Sequence, residues 1–270
     1  DPETMVPPKV VPCFYVRWAD VTAQVRAAGA GTYSVGGVPA TQSDTPGLGQ
    51  ETRNNAGWTL AVIYGNQTLP ARNLTLFVGN EVTNKSEQSD AVVQGFCTPQ
   101  TGPLSGRLML SASEGDANRV DDQMQFGRDT ATLTAVSGPN NPLHNFFGSQ
   151  INQDNGTLNT TGSFGTQNQN ALTGVNRAGA RQGWDITNLD VSAQLQNAQT
   201  SAVARGTSAG DQYVINALGT QIDIGAPFFP PDVKTVDKAA TFAGDTLTYS
   251  VRVENQGTAT ALNVIFTDAP

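Results

Sequence analysis

Apolar and polar residues alternate with a period of two along most of the chain. In GWTLAVIYG, Trp58, Leu60, Val62 and Tyr64 share one face while Ala61 and Ile63 take the other, the mark of a strand buried on both sides. After the turn-forming GNQTLPAR, the stretch NLTLFVG sets Leu74, Leu76 and Val78 on one face. Further strands are read in GRLMLSA, DTATLTAV, DQYVINAL and TQIDIGAP. Short strands punctuated by Gly, Pro and Asn predict an all-β chain whose larger part is a jelly-roll-like β-sandwich. Near the C-terminus, TLTYSVRV aligns Leu247, Tyr249, Val251 and Val253, and ALNVIFTD aligns Leu262, Val264 and Phe266, with ENQGTAT as the turn between them. Two antiparallel strands with one apolar face need a second sheet to cover them.

Helical periodicity is sparse. In ADVTAQVRAAGAG, Asp20 is placed to cap, Val21 and Val25 lie four apart, and Gly29 supplies the stop. The word Asp20–Val25, DVTAQV, is echoed by Asp190–Leu195, DVSAQL, and both are expected to form one-turn helices crossing an end of the sandwich. Residues 138–182, rich in Asn, Gly, Gln and Thr, read as a long surface excursion that Phe146 and Phe147 pin to the core. The prolines of GAPFFPPDVK mark a stiff linker. The expected organisation is therefore a head over 1–228, a linker over 229–233 and a second module beginning over 234–270.

Composition narrows the chemistry. Hydrophobic residues make up 38%, enough for a core, whereas only 14% are charged, so the surface depends on neutral polar side chains as in extracellular β proteins. A net charge of −8 without a basic cluster argues against nucleic acid as a partner. No run approaches the roughly 18 apolar residues of a transmembrane helix, and the N-terminus lacks the layout of a signal peptide, as a processed chain would. Cys13 and Cys97 lie 84 positions apart with no Cys or His nearby, which favours a structural disulfide over a zinc ribbon or a redox motif. The one histidine, His144, sits outside any nucleophile-elbow motif, and no phosphate-loop, dinucleotide or zinc-protease fingerprint occurs, so no enzyme is expected.

Two motifs remain. Glu114, Asp116, Asp121 and Asp122 fall within nine positions and form a candidate calcium site, the ordinary alternative being solvated turn acids with Arg119 as a local partner. Beyond calcium no cofactor is indicated. Five Asn-x-Ser/Thr triplets begin at Asn66, Asn73, Asn84, Asn155 and Asn159, acceptor motifs that matter if the source glycosylates.

The stretch DVKTVDKAATFAGDTLTYSVRVENQGTATALNVIFTDAP resembles the opening of the conserved-repeat domain of unknown function found in tandem in bacterial and archaeal surface proteins. The resemblance implies the start of an immunoglobulin-like β-sandwich, serving as a spacer or adhesive module. Residues 11–228 resemble a surface-protein β-domain of undefined function through Asp20 to Val35, Gly57 to Tyr64 and Gly183 to Leu195. Together these imply an extracellular protein on a prokaryotic cell surface, a non-enzymatic structural component of a layer, appendage or filament that self-assembles or joins neighbouring subunits. The rival reading is a carbohydrate-binding, calcium-assisted adhesin that uses the 138–182 excursion to bind glycans. With about seven strands needed for a full immunoglobulin-like sandwich, the expected assembly face is Leu247, Tyr249, Val251, Val253, Leu262, Val264 and Phe266. It is to be covered by later repeats of a longer chain, the favoured case, or by a neighbour's strand.

Overall fold

The computed structural model describes residues 14–39, 56–66, 69–113, 115–116, 119–159, 183–229 and 233–268. Ten strands and one helix form among them: α1 (Thr22–Ala28), β1 (Arg72–Thr83), β2 (Ser89–Gln94), β3 (Gly106–Ser113), β4 (Asp122–Gly127), β5 (Thr134–Ala135), β6 (Trp184–Asp190), β7 (Ser201–Ser208), β8 (Tyr213–Asp223), β9 (Lys234–Val236) and β10 (Tyr249–Val251).

Eight of the strands make two four-stranded antiparallel sheets, ordered β1-β8-β3-β6 and β2-β7-β4-β5. The direct pairs β1–β8, β2–β7, β3–β6 and β4–β5 are nested, and alternate pairs belong to alternate sheets. This is the winding of a jelly roll, a long hairpin rolled over on itself. The expected architecture of the larger part is the one observed.

Strand phase explains the core. In the first sheet Leu108, Leu110 and Ala112 of β3 face inward beside Leu189 of β6 and Leu218 and Ile222 of β8. Met124 and Phe126 of β4, Val93 of β2 and Ala202 and Ala204 of β7 close on them from the second sheet. The central strand β7 is lined with small residues because a neighbour needs the room. A Cβ on Gly206 would lie 2.7 Å from Oη of Tyr213, which reaches across the sandwich to donate to the Thr207 carbonyl at 3.2 Å.

Several expected elements differ. GRLMLSA is β3 and NLTLFVG opens β1, but DQYVINAL and TQIDIGAP merge into the single strand β8, and only Thr134–Ala135 of DTATLTAV pairs. GWTLAVIYG joins no ladder among the described residues. It lies extended on the outer face of the first sheet, with Gly57 on the Trp184 ring, Thr59 Oγ1 2.8 Å from Ser111 Oγ, and Val62, Ile63 and Tyr64 exposed. Alternation reports an extended backbone, which a segment draped over a sheet shares with a paired strand. Leu74, Leu76 and Val78 do share a face, but it is the outer one, for Phe77 pairs with the core residue Leu218. TLTYSVRV does not form a hairpin with ALNVIFTD: β10 pairs with β9, while Gln256 and Thr258 donate their amides to the carbonyls of Phe228 and Ala226.

Helix α1 appears where expected and stops at Gly29, whose φ of 67° is the left-handed geometry glycine favours, but it buries no residue. No helix is long and apolar enough to cross a membrane among the described residues.

Candidate functional site

One end of the sandwich concentrates the chain's buried charge. Asp122 opens β4 in phase with Met124 and Phe126, so alternation turns it inward, where it is fully buried. Asp185 occupies the same kind of position on β6, in phase with Thr187 and Leu189, and is 3% exposed. Asp211, in the turn between β7 and β8, and Asp116, after β3, are also buried. Four acids thus meet at one end of the interior, with no buried lysine or arginine among the described residues. Arg119 approaches Asp116 only to 4.0 Å and is itself exposed.

Three of the four carboxylates hold a loop by its backbone. Phe147 N–H donates to Asp122 Oδ2 at 2.7 Å, Gln150 N–H to Asp185 Oδ1 at 2.9 Å, and Asp116 N–H to Asp211 Oδ2 at 3.1 Å. Ser149 Oγ donates to the Gly115 carbonyl and accepts from Gly183 N–H at 2.6 Å. Gly115 is obligatory here, since a Cβ on it would stand 2.3 Å from the Phe147 carbonyl and 2.7 Å from Asp185 Oδ2. Phe147 completes the plug by stacking on Tyr213 at 4.1 Å and meeting Phe146 edge-on at 4.9 Å. The two phenylalanines therefore do pin the excursion. Its first half, however, is not a surface loop: Asn141, Asn145, Ser149, Gln150 and Asn152 are buried, with Asn141 Oδ1 accepting from Asn152 Nδ2 and Thr187 Oγ1, both at 2.9 Å.

Burial without a countercharge disfavours ionisation. It raises the Asp122 carboxyl to about 6 against the opposing amide hydrogen bond from Phe147, and it raises Asp211 to about 7. Asp185 is pushed well above the usual carboxylate range, by burial first and by the charge of Asp122 as well. Asp122 Oδ1 and Asp185 Oδ2 have no hydrogen-bond partner among the described residues.

The candidate calcium set is only partly brought together. Asp116 and Asp122 enter the buried cluster, joined by Asp185 and Asp211, which were not among the candidates. Asp121 stands in the left-handed region at φ 76°, which reverses the chain and leaves its side chain in solvent while Asp122 turns inward. Glu114 lies outside the described residues. No group of three His, Cys, Asp or Glu side chains is placed to hold a metal ion among the described residues. Cys97 is exposed, Cys13 lies outside the described residues, and no disulfide is seen among the described ones.

Two shallow hollows flank the sheets. In one, of about 320 Å³, Ser208, His144 and Asp121 meet, yet their hydrogen bonds lead away from one another. Ser208 Oγ donates to the Asp211 carbonyl at 2.7 Å, and His144 Nδ1 pairs with the Gln123 amide at 2.9 Å, so no base is aligned on the hydroxyl. The other, of about 460 Å³, is lined by Arg128, Thr132, Thr134, Gln194 and Gln196 and has no aromatic wall for sugar stacking.

The remaining feature is an open apolar surface. Tyr249, Val253, Leu262, Val264 and Phe266 of the expected assembly face are exposed, Leu262 at 81%, while Leu247 and Val251 are half-buried. Phe242 and Ile265 add to it at 87% and 86%. No protein-family model, curated protein or solved structure matches the chain.

Proposed function

We propose that this chain is a non-enzymatic structural component of a prokaryotic cell-surface layer, appendage or filament, in which a jelly-roll head is joined to neighbouring subunits through its C-terminal β module. The observation that carries this reading is the run of exposed apolar side chains from Val233 to Phe266. Scattered apolar residues are normal on a surface, but a segment that exposes Phe242, Tyr249, Leu262, Val264, Ile265 and Phe266 leaves apolar area that water disfavours and that another β surface would cover. Among the described residues the short strands β9 and β10 pair only with each other, so each offers an edge to an incoming strand. The low proportion of charged residues and the resemblance of 232–270 to surface-protein repeats support the same location.

Electron microscopy of the purified chain and of native surface material tests the reading. Lattices, fibres or regular oligomers are expected. Dispersed single particles at every concentration, with no regular array on cells, would contradict it.

A further inference from the structure

We propose that Asn155 is an acceptor site for N-linked oligosaccharide. Five triplets carry the acceptor sequence, and the structure separates them. Asn73 sits in β1 opposite Ile222, so its side chain lies on the core side of the sheet and is half-buried; the Thr75 hydroxyl donates to its Oδ1 at 3.0 Å, so burial and not that bond sets it apart from Asn155. Asn84, in the turn between β1 and β2, has its Nδ2 committed to Glu87 Oε2 at 3.1 Å. The triplets of Asn66 and Asn159 run into residues outside the described ones. Asn155 is exposed, and its Nδ2 donates to no other group among the described residues.

The turn that carries Asn155 is held from both sides. Gln153 N–H donates to the Thr157 carbonyl at 2.8 Å and Gly156 N–H to the Gln153 carbonyl at 2.9 Å. Gly156 has a φ of 80° and packs on Pro139, where a Cβ would come within 2.4 Å of the ring, and Asn140 Nδ2 donates to its carbonyl at 2.6 Å. Asp154 is tied to Arg107 at 3.0 Å. Thr157 donates both its backbone N–H, at 3.0 Å, and its hydroxyl, at 2.7 Å, to Asn155 Oδ1. The triplet is thereby folded with its amide oxygen turned toward the threonine and its amide nitrogen left for solvent.

That geometry suits transfer from a lipid-linked oligosaccharide phosphate or diphosphate. Asn155 Nδ2 attacks the anomeric carbon, the bond between that carbon and the phosphate oxygen breaks, and the departing Nδ2 proton passes to a base of the transferase. The lipid phosphate is the leaving group, and no oxidant or reductant takes part. The threonine hydroxyl fixes the orientation of the amide through Oδ1, and the pinned turn keeps the acceptor presented after the sandwich has folded. The biological use of the site rests on the cell-surface reading above, whereas acceptor competence does not.

The test is secretion of the whole chain from an N-glycosylating eukaryotic host, with glycopeptide mapping by mass spectrometry, alongside the same mapping of material from its own cells. Sugar on the peptide containing Asn155 and none on Asn73 is expected. Asn155→Gln and Thr157→Ala should each abolish that glycopeptide while the secreted protein keeps its melting temperature, and Thr157→Ser should retain it at reduced occupancy. A secreted chain bearing sugar at other triplets but not at Asn155, or showing only deamidation of Asn155 without sugar mass, would overturn the proposal. Occupancy in the host with none on native material would uphold the acceptor and count against the cell-surface reading.

Discussion

Asp122 and Asp185 are strand acids buried in the core, and both positions are legible in the alternation. DQMQF places Asp122 in register with Met124 and Phe126, and WDITNL places Asp185 in register with Leu189. An acid in the phase of the core is the signal that finds them. Sequence spacing instead groups Glu114, Asp116, Asp121 and Asp122 by proximity along the chain, which ignores that successive strand residues face opposite ways. Asp211 carries no such signal, because it lies in a turn. These carboxyls give the protein an unusual pH dependence. In the unfolded chain they titrate near the ordinary value of about 3.9, whereas Asp122 and Asp211 are raised to about 6 and about 7 in the fold. The folded state therefore binds protons more tightly, so their contribution to stability is fully present below pH about 4 and is lost as pH rises to about 7. Thermal melts should show a higher melting temperature at pH 5 than at pH 8, and Asp122→Asn should flatten the difference. A melting temperature that climbs steadily from pH 5 to pH 8 would contradict this account of the cluster. At the same end, Phe147→Ala should cost about 3–5 kcal/mol as a buried aromatic truncation, readable in urea unfolding. A loss under about 1 kcal/mol would show that the plug can collapse into the space.

At the scale of the element, the echoed words Asp20–Val25 and Asp190–Leu195 adopt one local geometry. Val21 has φ −112° and ψ 20°, and Val191 has φ −119° and ψ 20°. The preceding aspartate accepts from the N–H two residues on in both, Asp20 from Thr22 at 2.9 Å and Asp190 from Ser192 at 2.8 Å. The side-chain hydroxyl first, and the backbone N–H second, of Thr22 and of Ser192 hold both carboxyls below the usual value. Context separates the two: Val191 and Leu195 are buried and Ser192 Oγ accepts from Gly106 N–H at 3.0 Å, whereas Val21 is exposed and the helix it begins buries nothing. Asp190→Ala should accordingly destabilise the sandwich by about 1 kcal/mol, and Asp20→Ala should leave its unfolding midpoint unchanged. Equal effects would mean that the first copy is also seated on the fold. The strands divide by the same logic. β1, β3 and β8 were legible because large apolar residues alternate in them, whereas β7, SAVARGTS, was not, because its inward positions are Ala202, Ala204 and Gly206. The room at Gly206 is taken by Tyr213 from the facing sheet, and Ala204 lies beside Phe126 on the neighbouring strand, demands that a local pattern does not carry.

For the whole molecule, the jelly roll settles where its own apolar residues go, and it leaves those of 233–268 outside. The nested pairing from β1–β8 to β4–β5 takes up all eight strands of the head, and among the described residues nothing in that sandwich covers Leu262, Val264 or Phe266. A β surface of this kind gains by association in proportion to the apolar area removed from water, on the order of 25 cal/mol per Å² before the entropic cost of joining. Charged replacements on that face, Val264→Asp and Phe266→Asp, should weaken association while leaving the unfolding of the head unchanged, because neither residue belongs to the core. The most direct measurement is hydrogen exchange over 245–268 followed across a dilution series, with light scattering on the same samples. Assembly through this module predicts that protection in the segment rises together with particle mass as concentration increases, and that Val264→Asp removes both. A monodisperse monomer whose 245–268 amides are fully protected at every concentration would contradict it.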